Sequence, residues 1–232
     1  MEDPKQILKK YWGYDGFRPL QEEIILSIME GRDVLALLPT GGGKSICYQI
    51  PALARPGIAL VVSPLIALMQ DQVSKLREMG VPVLIIQNGM TWNEIRKVLQ
   101  QAAYGPFKFL FVSPERLQTA LFREFLPAMP LSLIAVDEAH CISQWGYDFR
   151  LSYLNIAATS AEKPDAPILA LTATATPEVQ TDIVEKLGMT SPALYRQSFY
   201  RSNLSYSVVE APSRVHKLID ILKKVPGTAI VY

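Results

Sequence analysis

The chain has 232 residues, of which 49% are hydrophobic and 19% charged, which excludes a disordered protein and leaves room for one sizeable α/β domain plus part of another. Its 23 basic and 22 acidic residues give a net charge of +1, excluding a polybasic tail and strong duplex binding by the whole surface, while a local basic groove stays compatible with it. The longest apolar stretch, residues 57–69, is broken by Ser63-Pro64, so no membrane span is expected.

The chain opens Met1-Glu2-Asp3-Pro4-Lys5, with no signal-peptide character. Residues 34–38 form a short apolar run bounded by Asp33 and Pro39, as expected of a buried parallel strand. Pro39-Thr40-Gly41-Gly42-Gly43-Lys44-Ser45 follows it. Three consecutive glycines let the backbone turn sharply and point its N–H groups at an anion. Lys44 is placed to reach the β- and γ-phosphates of a nucleotide, and the Ser45 hydroxyl to join a Mg²⁺ shell. A helix is expected from Ser45, its positive end facing the phosphates. The full phosphate-loop pattern asks for glycine at position 38, where this chain has Leu38.

Further apolar runs at 58–62, 83–86, 107–112, 133–136 and 168–171 read as strands, with helical patterns at 65–79, 93–103, 116–126 and 178–187 between most of them. This alternation implies an α/β fold with a mostly parallel, doubly wound sheet and helices on both faces. Thr91 followed by Glu94 has the form of a capping box, and Pro177 after Thr176 suits a first helical turn. Ser63-Pro64 and Ser113-Pro114 each follow a strand directly, which puts them on the ligand-bearing carboxyl edge. The run 133–136 ends in Asp137-Glu138-Ala139-His140. Asp137 can hold Mg²⁺, usually through water, and Glu138 can polarise the water that attacks the γ-phosphate. Adjacent side chains at a strand end diverge, so one can face the metal and the other the nucleophile.

Immediately afterwards, Cys141-Ile142-Ser143-Gln144-Trp145-Gly146-Tyr147-Asp148-Phe149-Arg150 alternates aromatic and polar residues in what should be a loop. Exposed aromatics can stack on unpaired bases, each contributing roughly 1–3 kcal/mol. The two cysteines, Cys47 and Cys141, lack metal-binding spacing, so no zinc site can be assembled from them, and they read as reduced cytosolic thiols. Past Leu187-Gly188 the pattern changes. Residues 215–222 look like an amphipathic helix and 228–232 like a strand at its start. The expected organisation is one nucleotide-binding domain over 1–207 and the opening of a second over 208–232.

These motifs together resemble the first motor domain of superfamily-two helicases, and closely the RecQ family of DNA helicases. The matching segments are 13–21, 38–53, 61–73, 111–117, 135–150 and 170–177, so the likeness covers most of residues 11–206. It implies a RecA-like P-loop fold with a DEAH box, ATP hydrolysis with Mg²⁺, and 3′ to 5′ movement on single-stranded or partly duplex DNA. It further implies roles in DNA repair and recombination, and a cytoplasmic location (at the nucleoid in a bacterium, in the nucleus of a eukaryote). Gln21 then becomes the adenine-reading amide, one donor and one acceptor matching N6 and N7, with Tyr14 and Arg18 stacking on the purine. His140, Gln144, Trp145, Thr172 and Thr174 become the residues that couple DNA to hydrolysis. Ser63, Pro64, Leu65, Asp71, Ser113, Glu115, Trp145, Tyr147, Phe149 and Arg150 become DNA contacts. Tyr147 stands where the family pattern usually has histidine, and Leu151 where it has proline; tyrosine keeps a stacking face and loses the imidazole. Such a motor works with a second RecA-like domain, so the chain by itself is expected to be nearly inactive. An RNA-remodelling ATPase and a non-catalytic nucleotide-dependent interaction module share these features and stay open as alternatives.

Overall fold

The computed structural model describes residues 2–145, 148–198 and 203–231. The chain divides into two compact units, 1–199 and 200–232.

The first unit opens with two helices, α1 (Pro4–Trp12) and α2 (Gln21–Met29), which the sequence reading did not assign. Strand β1 (Val34–Leu37) leads into α3 (Lys44–Ala54), and β2 (Ile58–Val62) into α4 (Ile66–Glu78). Then come β3 (Val83–Ile85), α5 (Trp92–Tyr104), β4 (Phe109–Val112), α6 (Ala120–Phe125), β5 (Leu131–Val136), α7 (Asn155–Ala161), β6 (Ile168–Thr172), α8 (Pro177–Leu187) and β7 (Ala193–Arg196). The strands form one seven-stranded sheet in the order β3-β4-β2-β5-β6-β1-β7, every pair parallel.

Strands buried on both faces need apolar residues at every position, and β2, Ile-Ala-Leu-Val-Val, is buried throughout. Alternate residues serve opposite cores. Leu35, Leu37, Leu60 and Val62 pack with Leu99 of α5, Phe122 of α6, Ile156 of α7 and Ile183 of α8. Val34, Ala36, Ala59 and Val61 pack with Ile28 of α2, Tyr48 of α3 and Val73 of α4. Helices therefore cover both faces, as the alternation predicts. Leu38, at the position where the phosphate-loop pattern has glycine, is fully buried in the second core, so a side chain there packs inward.

Local signals explain most boundaries. The Thr91 and Glu94 capping box closes in both directions. Thr176 caps α8 and Gly188, at φ 68°, ends it. The helix expected over 116–126 is broken: a 3-10 turn (Pro114–Gln118) stops at Thr119, whose extended backbone and side-chain cap restart the chain as α6. Strand β7 was missed because it is a short edge strand of alternating burial.

In the second unit, α9 (Arg214–Lys224) is capped by Ser213 and leaves Val215, Ile219 and Leu222 exposed. The strand expected at 228–232 is absent from the described residues 228–231. A strand exists only by pairing, and no other strand is present among the described residues of that unit.

Candidate functional site

Strand order decides what meets what. The carboxyl ends of β1, β6 and β5 lie side by side, which brings together the glycine loop, Thr172-Ala173-Thr174 and Asp137-Glu138. Beyond them, β2, β4 and β3 carry Ser63-Pro64-Leu65, Ser113-Pro114 and the turn before α5 along the same edge. One half of the edge thus holds the residues read as phosphate contacts together with the aromatic segment that follows β5, and the other the remaining loops read as DNA contacts.

The glycine loop needs its glycines for stated reasons. Gly41 and Gly43 have φ of +79° and +78°, where side chains are disfavoured. A Cβ on Gly42 would stand 2.8 Å from the Pro39 carbonyl oxygen, and one on Gly43 2.4 Å from Gln21 Nε2. The Gly42 N–H donates back to the Pro39 carbonyl at 2.9 Å, and Thr40 at the tip is exposed. Lys44 begins α3, with the half-buried Ser45 next on its first turn.

Asp137 and Glu138 diverge as expected. Asp137 faces Ser63, whose Oγ donates to Oδ2 at 3.5 Å. Glu138 faces the glycine loop and His140: Oε1 lies 4.0 Å from Lys44 Nζ and Oε2 3.3 Å from His140 Nδ1. Glu138 sits at φ 49°, ψ 46°, the left-handed region that a non-glycine residue rarely adopts. His140 Nδ1 also lies 3.0 Å from Thr172 Oγ1. That hydroxyl donates to the Thr174 carbonyl and accepts from the Thr174 N–H, each at 3.1 Å. Facing a carboxylate and an oxygen whose hydrogen is already committed, Nδ1 carries the ring proton.

Burial, and secondly the charge of Glu138, push the Asp137 carboxyl above the usual range, against Lys44, the Glu138 N–H and Ser63. The unfolded chain therefore ionises first as pH rises through the ordinary carboxylate range, and the folded state loses stability across that interval. Asp137→Asn should consequently melt above the parent at pH 7 without nucleotide or divalent metal, with the gap closing below about pH 4. Each kcal/mol corresponds to ~2–4 °C in a domain of this size, and paired thermal melts at the two pH values give the check. A variant less stable than the parent at pH 7 would contradict it.

A cavity of about 420 Å³ adjoins the glycine loop, lined by Tyr14, Arg18, Gln21 and Gly43 among others. Tyr14 and Arg18 are exposed there, and Arg18 Nη1 donates to the Gly41 carbonyl at 2.5 Å. Gln21 lines the same cavity. Its side chain is buried, Nε2 donates to the Gly42 and Gly43 carbonyls at 3.3 and 3.1 Å, and Oε1 accepts from the Arg18 N–H at 2.9 Å. The amide's donors are engaged with the glycine loop in this conformation, tying α2 to it.

The residues read as DNA contacts are dispersed. Ser63 is buried and turned toward Asp137, so its hydroxyl serves the acidic motif rather than the outer surface. Pro64 is half-buried, while Leu65 and Asp71 are exposed at the start of and along α4. Ser113 is half-buried at the end of β4, and the exposed Glu115 accepts from Ser152 Oγ at 2.9 Å. Gln144 and Trp145 lie in an exposed turn, Trp145 being 78% accessible. Phe149, by contrast, is half-buried with Lys186 Nζ 5.9 Å from its ring centroid. Arg150 pairs with Asp148 at 3.0 Å. Tyr147 lies outside the described residues. Both cysteines are buried, which pushes their thiols up to about 12 for Cys47 and about 11 for Cys141.

The sequence reading passed over several residues that the fold ties to this site. Tyr153 donates its phenol to the Asp137 carbonyl at 2.9 Å, and Ser143 Oγ donates to Asp182 on α8 at 2.7 Å. Tyr153 carries no motif of its own, and only the fold brings it to Asp137; Ser143 lies within the aromatic segment already named, but its bond to α8 has no signal in the sequence.

A parallel sheet with a glycine loop after one strand and an acidic pair two strands away is the arrangement of a P-loop nucleotide-binding domain. The sequence profile of the DEAD/DEAH box helicases matches residues 18–183, and the chain belongs to that family. It is 41% identical over 227 residues to the ATP-dependent DNA helicase RecQ of Haemophilus influenzae, covering 97% of this chain and 37% of that protein. It is 45% identical over 212 residues to the RecQ helicase of Bacillus subtilis, covering 90% and 36%. The resemblance to RecQ helicases thus holds over most of this chain, which spans about a third of the length of these relatives. The Mycobacterium smegmatis helicase Lhr, solved with single-stranded DNA and AMP-PNP, shares the fold with a TM-score of 0.66 at 21% identity, over 85% of this chain and 28% of Lhr.

Proposed function

We propose that the chain is the first motor domain of a RecQ-type DNA helicase, hydrolysing ATP with Mg²⁺ to move 3′ to 5′ along single-stranded DNA. The observation that carries this reading is the convergence of Lys44, Glu138, His140 and Thr172 between β1, β6 and β5. Lys44 binds the β- and γ-phosphates, and the glycine loop cradles them with its N–H groups. Glu138 orients the attacking water and takes its proton as the bond from the γ-phosphorus to the bridging oxygen breaks. The donors Ser45 and Asp137 are hard oxygens, the set that suits Mg²⁺, and the buried Asp137 beside Glu138 is an acidic pair that a divalent cation would relieve. When bound, Mg²⁺ neutralises charge on the phosphates.

Tyr14 and Arg18 flank the purine in the adjoining cavity. Unpaired bases stack on Trp145, the most exposed aromatic of its loop among the described residues. The names of the curated relatives favour DNA over RNA as the strand. Residues 208–232 are read as the start of the second RecA-like domain, which in such motors supplies an arginine finger worth roughly 10³–10⁵ in rate. This chain alone is therefore expected to bind ATP weakly and hydrolyse it slowly.

A titration of a fluorescent ATP analogue with Mg²⁺, on the full-length protein, provides the test. Binding tightened by a single-stranded DNA oligonucleotide and little by RNA of the same sequence is expected. Equal tightening by RNA would favour the RNA-remodelling alternative, and no nucleotide binding at all would remove the motor reading.

A further inference from the structure

Tyr153 is fully buried, and its hydroxyl reaches the main chain of the acidic motif, donating to the Asp137 carbonyl at 2.9 Å, with the Cys141 thiol as a second hydrogen-bonding neighbour. The other end of the same peptide group is held as well, because the Glu138 N–H donates to Asp137 Oδ1 at 3.0 Å. Rotation of that peptide changes φ of Glu138, which stands at 49° and persists only if its surroundings hold it there.

The opposite end of Tyr153 is joined to the aromatic loop. Its N–H donates to the Arg150 carbonyl at 3.0 Å, and the Arg150 N–H donates to the Cys141 carbonyl at 2.8 Å, closing the base of the segment that carries Trp145. The N-terminal limb of that segment is pinned separately: Ser143 Oγ donates to Asp182 Oδ2 at 2.7 Å and accepts from the Trp145 N–H at 3.2 Å, and Asp182 is paired with Lys186 at 2.9 Å. The other end of the segment is held through Arg150, whose carbonyl accepts from the Tyr153 N–H.

We propose that Tyr153 is a positioning residue that links this loop to the Asp137-Glu138 peptide, so that a strand seated on the loop changes the direction of the Glu138 carboxylate. Tyr153 touches no reacting atom and acts only through the backbone it holds. The inference rests on the helicase reading above, in which Glu138 works on the attacking water and Trp145 meets DNA.

Tyr153→Phe in the full-length protein keeps the buried ring and deletes only the hydroxyl. The measured quantity is the ratio of ATP turnover with saturating oligothymidine to turnover without it. That ratio should fall about tenfold, the size of one lost hydrogen bond at a rate-determining contact, with the KM for ATP and the half-saturating oligothymidine concentration unchanged. Replacing Tyr153 with 3-fluorotyrosine, which retains the hydroxyl, should restore it. An unchanged ratio in the phenylalanine variant overturns the proposal, as does an equal fall of both rates, which marks a general structural role. A parent protein that shows no stimulation by oligothymidine overturns this proposal together with the helicase reading, whereas a stimulated parent matched by Tyr153→Phe overturns this proposal alone.

Discussion

Glu138→Gln in the full-length protein is expected to lower ATP turnover by about 10²–10⁴-fold, the range lost when a general base is removed, while ATP stays bound. Glutamine has the same length and backbone requirements, so the left-handed conformation at 138 is no harder to hold than it is for glutamate. What disappears is the carboxylate that faces Lys44 at 4.0 Å and His140 at 3.3 Å. Its loss frees Lys44 from its anionic neighbour, which favours phosphate binding, and removes the like charge that helps to raise Asp137. Nucleotide affinity should therefore match the parent or slightly exceed it. Single-turnover hydrolysis and analogue binding measured on the same preparation separate the two effects. A fall in affinity as large as the fall in rate would make Glu138 a binding residue instead.

Lys44→Ala should act the other way round, weakening nucleotide binding by about 100-fold or more, because truncating one partner of a buried charge pair costs roughly 2–5 kcal/mol. The Lys44 side chain is only 16% exposed and faces Glu138, itself 24% exposed. Without its ammonium, two adjacent acidic groups remain without their cation, and the Asp137 carboxyl is driven further upward. The variant should thus also lose stability at pH 7, more than it does in acid. Equilibrium binding of the analogue and melts at two pH values read these consequences independently. Binding within threefold of the parent would show that the glycine loop's N–H groups carry the phosphates without Lys44.

In the sequence, the apolar runs, the glycine loop and the acidic motif specify an α/β nucleotide-binding domain, because each is a local signal, and the helicase reading comes from the family these motifs resemble. A buried parallel strand must be apolar throughout, a phosphate loop must have glycines, and a capping box must have Thr91 and Glu94 three positions apart. Tertiary structure alone decided the rest. The break at Thr119, the edge strand β7 and the unpaired tail depend on what lies alongside them. So do the commitment of the Gln21 amide to the glycine loop and the inward turn of Ser63 toward Asp137. The link from Tyr153 to Asp137 spans sixteen positions and crosses the loop between them, and no pattern of residue types announces it. Periodicity reports which face of an element is buried, whereas a hydrogen bond between distant groups is fixed by strand order and by a few ångströms of packing.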